Sequence, residues 1–192
     1  MTVRIRLARR ADALHVAAFV DIAGHGIEIR EWYARAGAGH SVFAAARRVV
    51  LEDTDQPYHY SRAHMLEADG EVAAGLIGGI VEATTSGSAD TPAHVRSLVE
   101  LETSVPGSWL LLVIATYPEH RGRGFGALLM EQGRQCAIRD GASEMSLVTE
   151  DTNVGALSLY KRHGFREVET RPWLGYDGLT GPTQWIRLVR EV

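Results

Sequence analysis

Val3, Ile5 and Leu7 alternate with Thr2, Arg4 and Arg6, which predicts a short strand. Asp12 then stands where a helix N-cap belongs, and Leu14, Ala17, Ala18 and Ile22 follow at helical spacing until Gly24-His25-Gly26 breaks the pattern. Two further helical stretches are predicted at 28–35 and 41–51, the second with Ser41 as its N-cap. Residues 59–83, "HYSRAHMLEADGEVAAGLIGGIVEA", read as a hairpin with its turn at Asp69-Gly70. A small-polar loop at 84–92 leads to another helical stretch at 93–103.

The second half alternates more regularly. The continuous apolar run of "SWLLLVIAT", 108–116, predicts a fully buried strand. After Pro118 comes "HRGRGFGALLMEQG", 120–133, a Gly/Arg loop that turns into a helix with Phe125, Leu128, Leu129, Gln132 and Cys136 on one face. Asp140-Gly141 stops it. "SEMSLVT" is a strand and "NVGALSLYKRH" a helix, with Asn153 at its N-cap and Gly164 past its end. "FREVET" and "TQWIRLVR" are strands separated by a loop at 171–182. The order is mixed α/β with a βαβα centre and no internal repeat, so one α+β-type domain over 1–192 is expected.

Composition narrows the function classes. A net charge of −4 gives no global basic field for nucleic acid or an anionic membrane, so an anion site has to be a local concentration of donors. The single cysteine, Cys136, excludes an intramolecular disulfide and fits a reducing cytosol. The N-terminus lacks the apolar core of a signal peptide, and the longest apolar run, 109–115, is too short to span a bilayer. A cytoplasmic protein is expected.

The Gly/Arg loop admits two parses. Gly122-x-Gly124-x-x-Ala127 satisfies the dinucleotide fingerprint G-x-G-x-x-A, and it sits between a predicted strand and a helix as that reading demands. Against it stand Arg121 and Arg123 in the turn, a mid-chain position with only one more βα unit behind it, and a following strand that ends at Thr149-Glu150, later than the roughly 20 residues at which the ribose-binding acid belongs. The other parse is Arg121-x-x-Gly124-x-Gly126, in which backbone N–H groups point at a pyrophosphate over the helix N-terminus and the arginines add charge-assisted contacts. A Walker-type P-loop cannot be written here.

"YPEHRGRGFGALLM" resembles the acetyl-CoA motif of the GNAT superfamily of N-acetyltransferases, R/Q-x-x-G-x-G/A after a strand ending near a proline. "TNVGALSLYKRHGF", 152–165, resembles the same family's Asn…Ala…Leu-Tyr-x-x-x-Gly-Phe segment. The resemblance implies a mixed, mostly antiparallel twisted sheet flanked by helices, with a central parallel pair splayed at the CoA site. It implies acetyl-CoA as cosubstrate, held by Arg121, Gly122, Arg123, Gly124, Phe125 and Gly126. Backbone groups of Ile114, Ala115 and Thr116 would meet the thioester and pantetheine, and Asn153 would contact the CoA chain. It also implies an amine acceptor and raises the prospect of a homodimer.

Acetyl transfer to an amine needs a proton for the departing thiolate and a route for the amine proton. In the family a tyrosine at the place of Tyr160 often supplies the first; taken alone, Tyr160 also reads as a core tyrosine. The strand 108–116 carries no carboxylate, which leaves Glu82, Glu100, Glu102 and Glu150 as candidate bases. Glu102 is preferred because it precedes the central strand; each of the four also reads as a solvated charge, and a neutral amine needs no base. His59 and His64 lack the partners of a metal motif, and His120 and His163 read as exposed. "DIAGHGIEIREWY" (21–33) and "RPWLGYDG" (171–178) read either as acceptor walls or as ordinary packing.

Overall fold

The computed structural model describes residues 1–37, 39, 41–83, 91–174 and 182–192. Seven strands pair in the order β1-β2-β3-β4-β5-β7-β6. They are β1 (Val3–Leu7), β2 (Ala63–Ala68), β3 (Glu71–Ile80), β4 (Trp109–Thr116), β5 (Glu144–Glu150), β6 (Arg166–Pro172) and β7 (Gln184–Glu191). The helices are α1 (Ala13–Ala23), α2 (Ile27–Ala36), α3 (Val42–Glu52), α4 (Ala93–Thr103), α5 (Phe125–Arg139) and α6 (Val154–Arg162). Among the described strands only β4 and β5 run parallel, through Trp109↔Met145 and Leu110↔Ser146. The N–H of Tyr117 donates to the Ala73 carbonyl and that of Gly107 to Val81, so β4 is antiparallel to β3. A doubly wound parallel sheet, which the dinucleotide parse requires, is therefore not what this chain builds.

The chain divides into two compact units, residues 1–78 with 112–133 and residues 79–111 with 134–192. In the first, β1, β2 and β3 are antiparallel neighbours and α1, α2 and α3 supply the packing partners. Asp69 and Gly70 both have positive φ, 51° and 90°, the geometry of a tight two-residue hairpin turn. Val16, Phe19, Val20, Trp32, Val50, Met65, Ile77 and Val113 form one buried cluster. Gly75 on β3 faces Phe19 so closely that an added Cβ would overlap the ring. Arg6 ties the strands to the start of α1, bonding Asp12 at 2.7 Å and Glu67 at 2.6 Å. The Arg6 guanidinium holds the Asp12 carboxyl below its usual range, helped by the Arg9 N–H.

In the second unit β7 is the centre of an antiparallel trio, pairing with β5 along seven residues and with β6 on its other side. β6 is the edge strand, and Arg166, Glu167 and Thr170 keep it polar and exposed, which discourages edge-to-edge pairing. α4 packs on β5, β6 and β7.

Element boundaries follow the predicted punctuation, but three predicted faces shift. On α1, Leu14 is 49% exposed, while Ala13, Val16, Ala17, Phe19 and Val20 are buried. A single-turn 3₁₀ segment at Arg10–Asp12 delays the helix start and turns the inward stripe by about one residue. The Asp12 carboxylate serves that turn and Arg6, with no side-chain cap on α1. β4 is not buried on both faces: Trp109, Leu111, Val113 and Ala115 are buried, and Leu110, Leu112, Ile114 and Thr116 only half. On α5, Leu128 is 45% exposed, and the buried stripe runs through Phe125, Leu129, Met130, Gly133, Cys136 and Ala137. Ser41 occupies the N-cap of α3 without a side-chain bond. Of the two loops predicted at 84–92 and 171–182, residues 84–90 and 175–181 lie outside the described residues.

Candidate active site

In the first unit, β4 ends at Thr116 and a short turn at Pro118–His120 redirects the chain. Proline at the first position of that turn fits because the missing N–H has no partner to lose. Gly122 and Gly124 have φ of 77° and 82°, and an added Cβ at either meets nothing within 4 Å. Glycine is required there by backbone conformation, since space is ample. The Gly124 carbonyl takes the first amides of α5, from Ala127 at 3.1 Å and Leu128 at 3.3 Å. Among the described residues, the N–H groups of Gly122, Arg123, Gly124, Phe125 and Gly126 meet no acceptor. They open the 15-residue α5, whose dipole adds partial positive charge at the same place.

Phe125, 2% exposed, pins the helix start into the core, while Arg121, Gly122, Arg123 and Gly124 stay exposed. Arg121 folds back, its Nε donating to the Thr116 carbonyl at 3.3 Å, so it braces the loop against the end of β4. His120 is half-buried, against the expectation of exposure, because its ring lies 6.5 Å from that of Phe125.

In the second unit, Asn153 caps α6: its Oδ1 accepts from Ala156 N–H and its Nδ2 donates to Thr149 Oγ1, both at 3.4 Å. Tyr160 stands seven residues further on, on the same side of the helix. The segment Tyr160-x-x-x-Gly164-Phe165 closes α6 as a Schellman motif. Phe165 N–H bonds the Tyr160 carbonyl, Gly164 N–H bonds Lys161, Gly164 has φ 83°, and the two rings lie 6.1 Å apart. Part of this motif thus has a purely structural reason. The phenol is 7% exposed, and burial alone pushes its pKa up to about 12.

The candidate bases separate clearly. Glu82 is exposed, and Glu100 is held by Arg171 at 2.7 Å. Glu102 lies half-buried near the end of α4, and Glu150 is 5% exposed at the end of β5, opposite Trp185. Of the first acceptor-wall segment, Trp32 enters the core against Tyr58 and Tyr33 stays 43% exposed. Trp32 also lines an open cavity of about 250 Å³ with Ala45, Arg48, Val49, Asp53 and Gln56. Of the second segment, residues 175–178 lie outside the described residues. His59 bonds Ser61 at 2.8 Å, and among the described residues no group of three His, Cys, Asp or Glu is placed to hold a metal.

One pair was not anticipated. His15 on α1 and Tyr117, just past β4, share a 2.8 Å hydrogen bond, and burial raises the Tyr117 pKa. Their separation of 102 residues leaves no local pattern in the sequence.

The sequence model of the acetyltransferase (GNAT) family matches residues 27–165. Among solved structures, an acetyltransferase 21% identical to this chain superposes with a TM-score of 0.68, covering 98% of this chain and 99% of its own. An acetyltransferase from Bacillus subtilis in complex with CoA is 15% identical, with a TM-score of 0.61 over 100% of this chain and 99% of its own. A GNAT family acetyltransferase from Elizabethkingia anophelis with acetyl-CoA bound is 14% identical, with a TM-score of 0.60 over 99% and 98%. No curated protein sequence matches the chain. At such identities the superpositions establish the fold; the family match spans most of the sequence, and this chain belongs to the GNAT acetyltransferase family. That family uses acetyl-CoA as its cosubstrate.

Proposed function

We propose that the protein is an acetyl-CoA-dependent N-acetyltransferase, a single cytoplasmic domain that moves the acetyl group to a primary amine by direct attack in a ternary complex. The observation that carries this reading is the loop at 121–126, with five backbone N–H groups that meet no acceptor among the described residues, at the mouth of a long helix. Those amides, with Arg123 outside them, hold the CoA pyrophosphate. Arg121 stiffens the turn, and backbone groups of Ile114, Ala115 and Thr116 receive the thioester and pantetheine. Asn153 positions the start of α6 and contacts the CoA chain.

In this reaction the amine nitrogen attacks the thioester carbonyl carbon, the C–N bond forms, the C–S bond breaks, and the nitrogen loses a proton. Glu102 is assigned to take that proton, through water where needed, and Tyr160 to give one to the departing thiolate. One observation favours a second reading, an acyl-CoA-binding sensor without turnover. A phenol with pKa about 12 gives its proton to a thiolate of ordinary pKa about 8.5 at a cost of about 5 kcal/mol. Turnover decides between the two: free-thiol release from acetyl-CoA across a panel of amines is expected for the enzyme. Tight acetyl-CoA binding with no thiol release from any amine supports the sensor.

A further inference from the structure

The face of the second unit that α4 covers carries buried donors that meet no acceptor among the described residues. Register places them together: Arg171, Trp185 and Glu150 lie opposite one another across β6, β7 and β5, and Glu169, Arg187 and Val148 form the next row. Residues directly opposite in antiparallel strands project from one face, and the Arg171–Glu100 bond fixes that face as the one under α4.

The two arginines are served very differently. Arg171 spends Nε and Nη2 on Glu169 Oε1, at 3.1 and 3.0 Å, and Nη1 on Glu100. Arg187 makes a weak bond, Nη2 to Glu169 Oε2 at 3.3 Å. Among the described residues its Nε and Nη1 are buried without an acceptor, and so is Nε1 of Trp185, two residues away on the same strand face. The Arg187 side chain is 13% exposed and Trp185 is 5% exposed, so bulk water does not serve these groups freely. Folded proteins rarely leave such donors unmatched, above all on a fixed cation, unless a ligand or bound water completes them. The cluster is open on one side, where Arg171 and Glu100 are 39% and 41% exposed.

We propose that Arg187 and Trp185 form a carboxylate-binding site for the acceptor, which makes the substrate class an amine that also carries a carboxylate: an amino acid or a short peptide. Glu150, Glu169 and Glu100 on the same cluster complement the ammonium end of such a zwitterion. They also oppose a phosphate dianion, whose second charge finds only one incompletely paired cation here. The role of Arg187 is specificity, and the reaction does not pass through it. The inference rests on the acyl-transfer reading above.

The test uses matched amines, an amino acid against its carboxamide, with thiol release from acetyl-CoA as the readout. The wild-type protein is expected to prefer the carboxylate by ~10- to 100-fold in kcat/KM, the range of one charged hydrogen-bonded contact. Arg187→Met should collapse that ratio to about one, and Trp185→Phe should lower it in part, which guards against a poorly folded Met variant. A second measurement needs no turnover: calorimetric binding of the N-acetylated amino acid, expected for wild type and lost in Arg187→Met. Equal wild-type rates on both amines would overturn the proposal while leaving the acyl-transfer reading standing, the donors then being served by water alone. Arg187-dependent binding with no thiol release from any amine would sink the acyl-transfer reading and leave the carboxylate site in place. A preference that survives Arg187→Met and Trp185→Phe unchanged would assign the selectivity elsewhere and overturn the proposal.

Discussion

Tyr160 combines two duties that a single substitution separates. Its backbone carbonyl closes α6, and that duty survives Tyr160→Phe; its hydroxyl does not. If the phenol protonates the thiolate, Tyr160→Phe is expected to lower kcat by ~100-fold or more with little change in the Kd for acetyl-CoA. An unchanged kcat removes the assigned role. The same group predicts a stability signature. Its folded pKa of about 12 lies above the unfolded value of about 10, so the neutral form is the one the fold favours. The contribution is complete below pH 10 and is lost between about pH 10 and 12, at about 1.4 kcal/mol per pH unit. Urea titrations at stepped alkaline pH should show this slope in wild type, and Tyr160→Phe should lack that component.

At the scale of elements, the glycines divide into those required by conformation and those required by space. Gly124 is of the first kind, with φ 82° and open surroundings. Gly124→Ala strains the backbone by about 1–2 kcal/mol, and acetyl-CoA affinity measured by calorimetry should weaken ~5- to 30-fold. Gly75 is of the second kind, because a Cβ there overlaps Phe19. Gly75→Val is expected to destabilise the first unit by about 1–3 kcal/mol, or more if the sheet cannot shift, as read from the urea midpoint.

The boundaries of these elements were legible because local chemistry sets them: Gly24-His25-Gly26, Asp69-Gly70, Asn153 and Gly164 each stop or start a segment by their own backbone preferences. Facing directions were less legible, as Leu14 and Leu128 show. A one-residue rotation changes which side chain is buried but leaves the period intact. The candidate site splits the same way. The anchor loop is contiguous in sequence and could be read directly; His15 with Tyr117, and Arg187 with Glu169, are joined only by folding.

For the whole molecule, the family assignment turns the two parses of one loop into a ligand comparison. At a concentration one hundred times Kd, acetyl-CoA should stabilise the protein by about 2.7 kcal/mol, a rise of about 5–10 °C in Tm for a chain of this size. NAD or NADP should give none; the reverse pattern would overturn acetyl-CoA as the ligand of this loop. Among the described residues no helix is long and apolar enough to cross a membrane. The net charge of −4 weakly favours a cationic end on the acceptor.

Cys136 is the only thiol in the sequence, and it lies 1% exposed on α5. A disulfide dye that counts liberated CoA therefore meets a silent protein: folded enzyme contributes no colour, and denatured enzyme contributes one equivalent per chain. The same cuvette can then follow two clocks, a fast one set by acyl transfer and a slow one set by how often the helix around Cys136 opens.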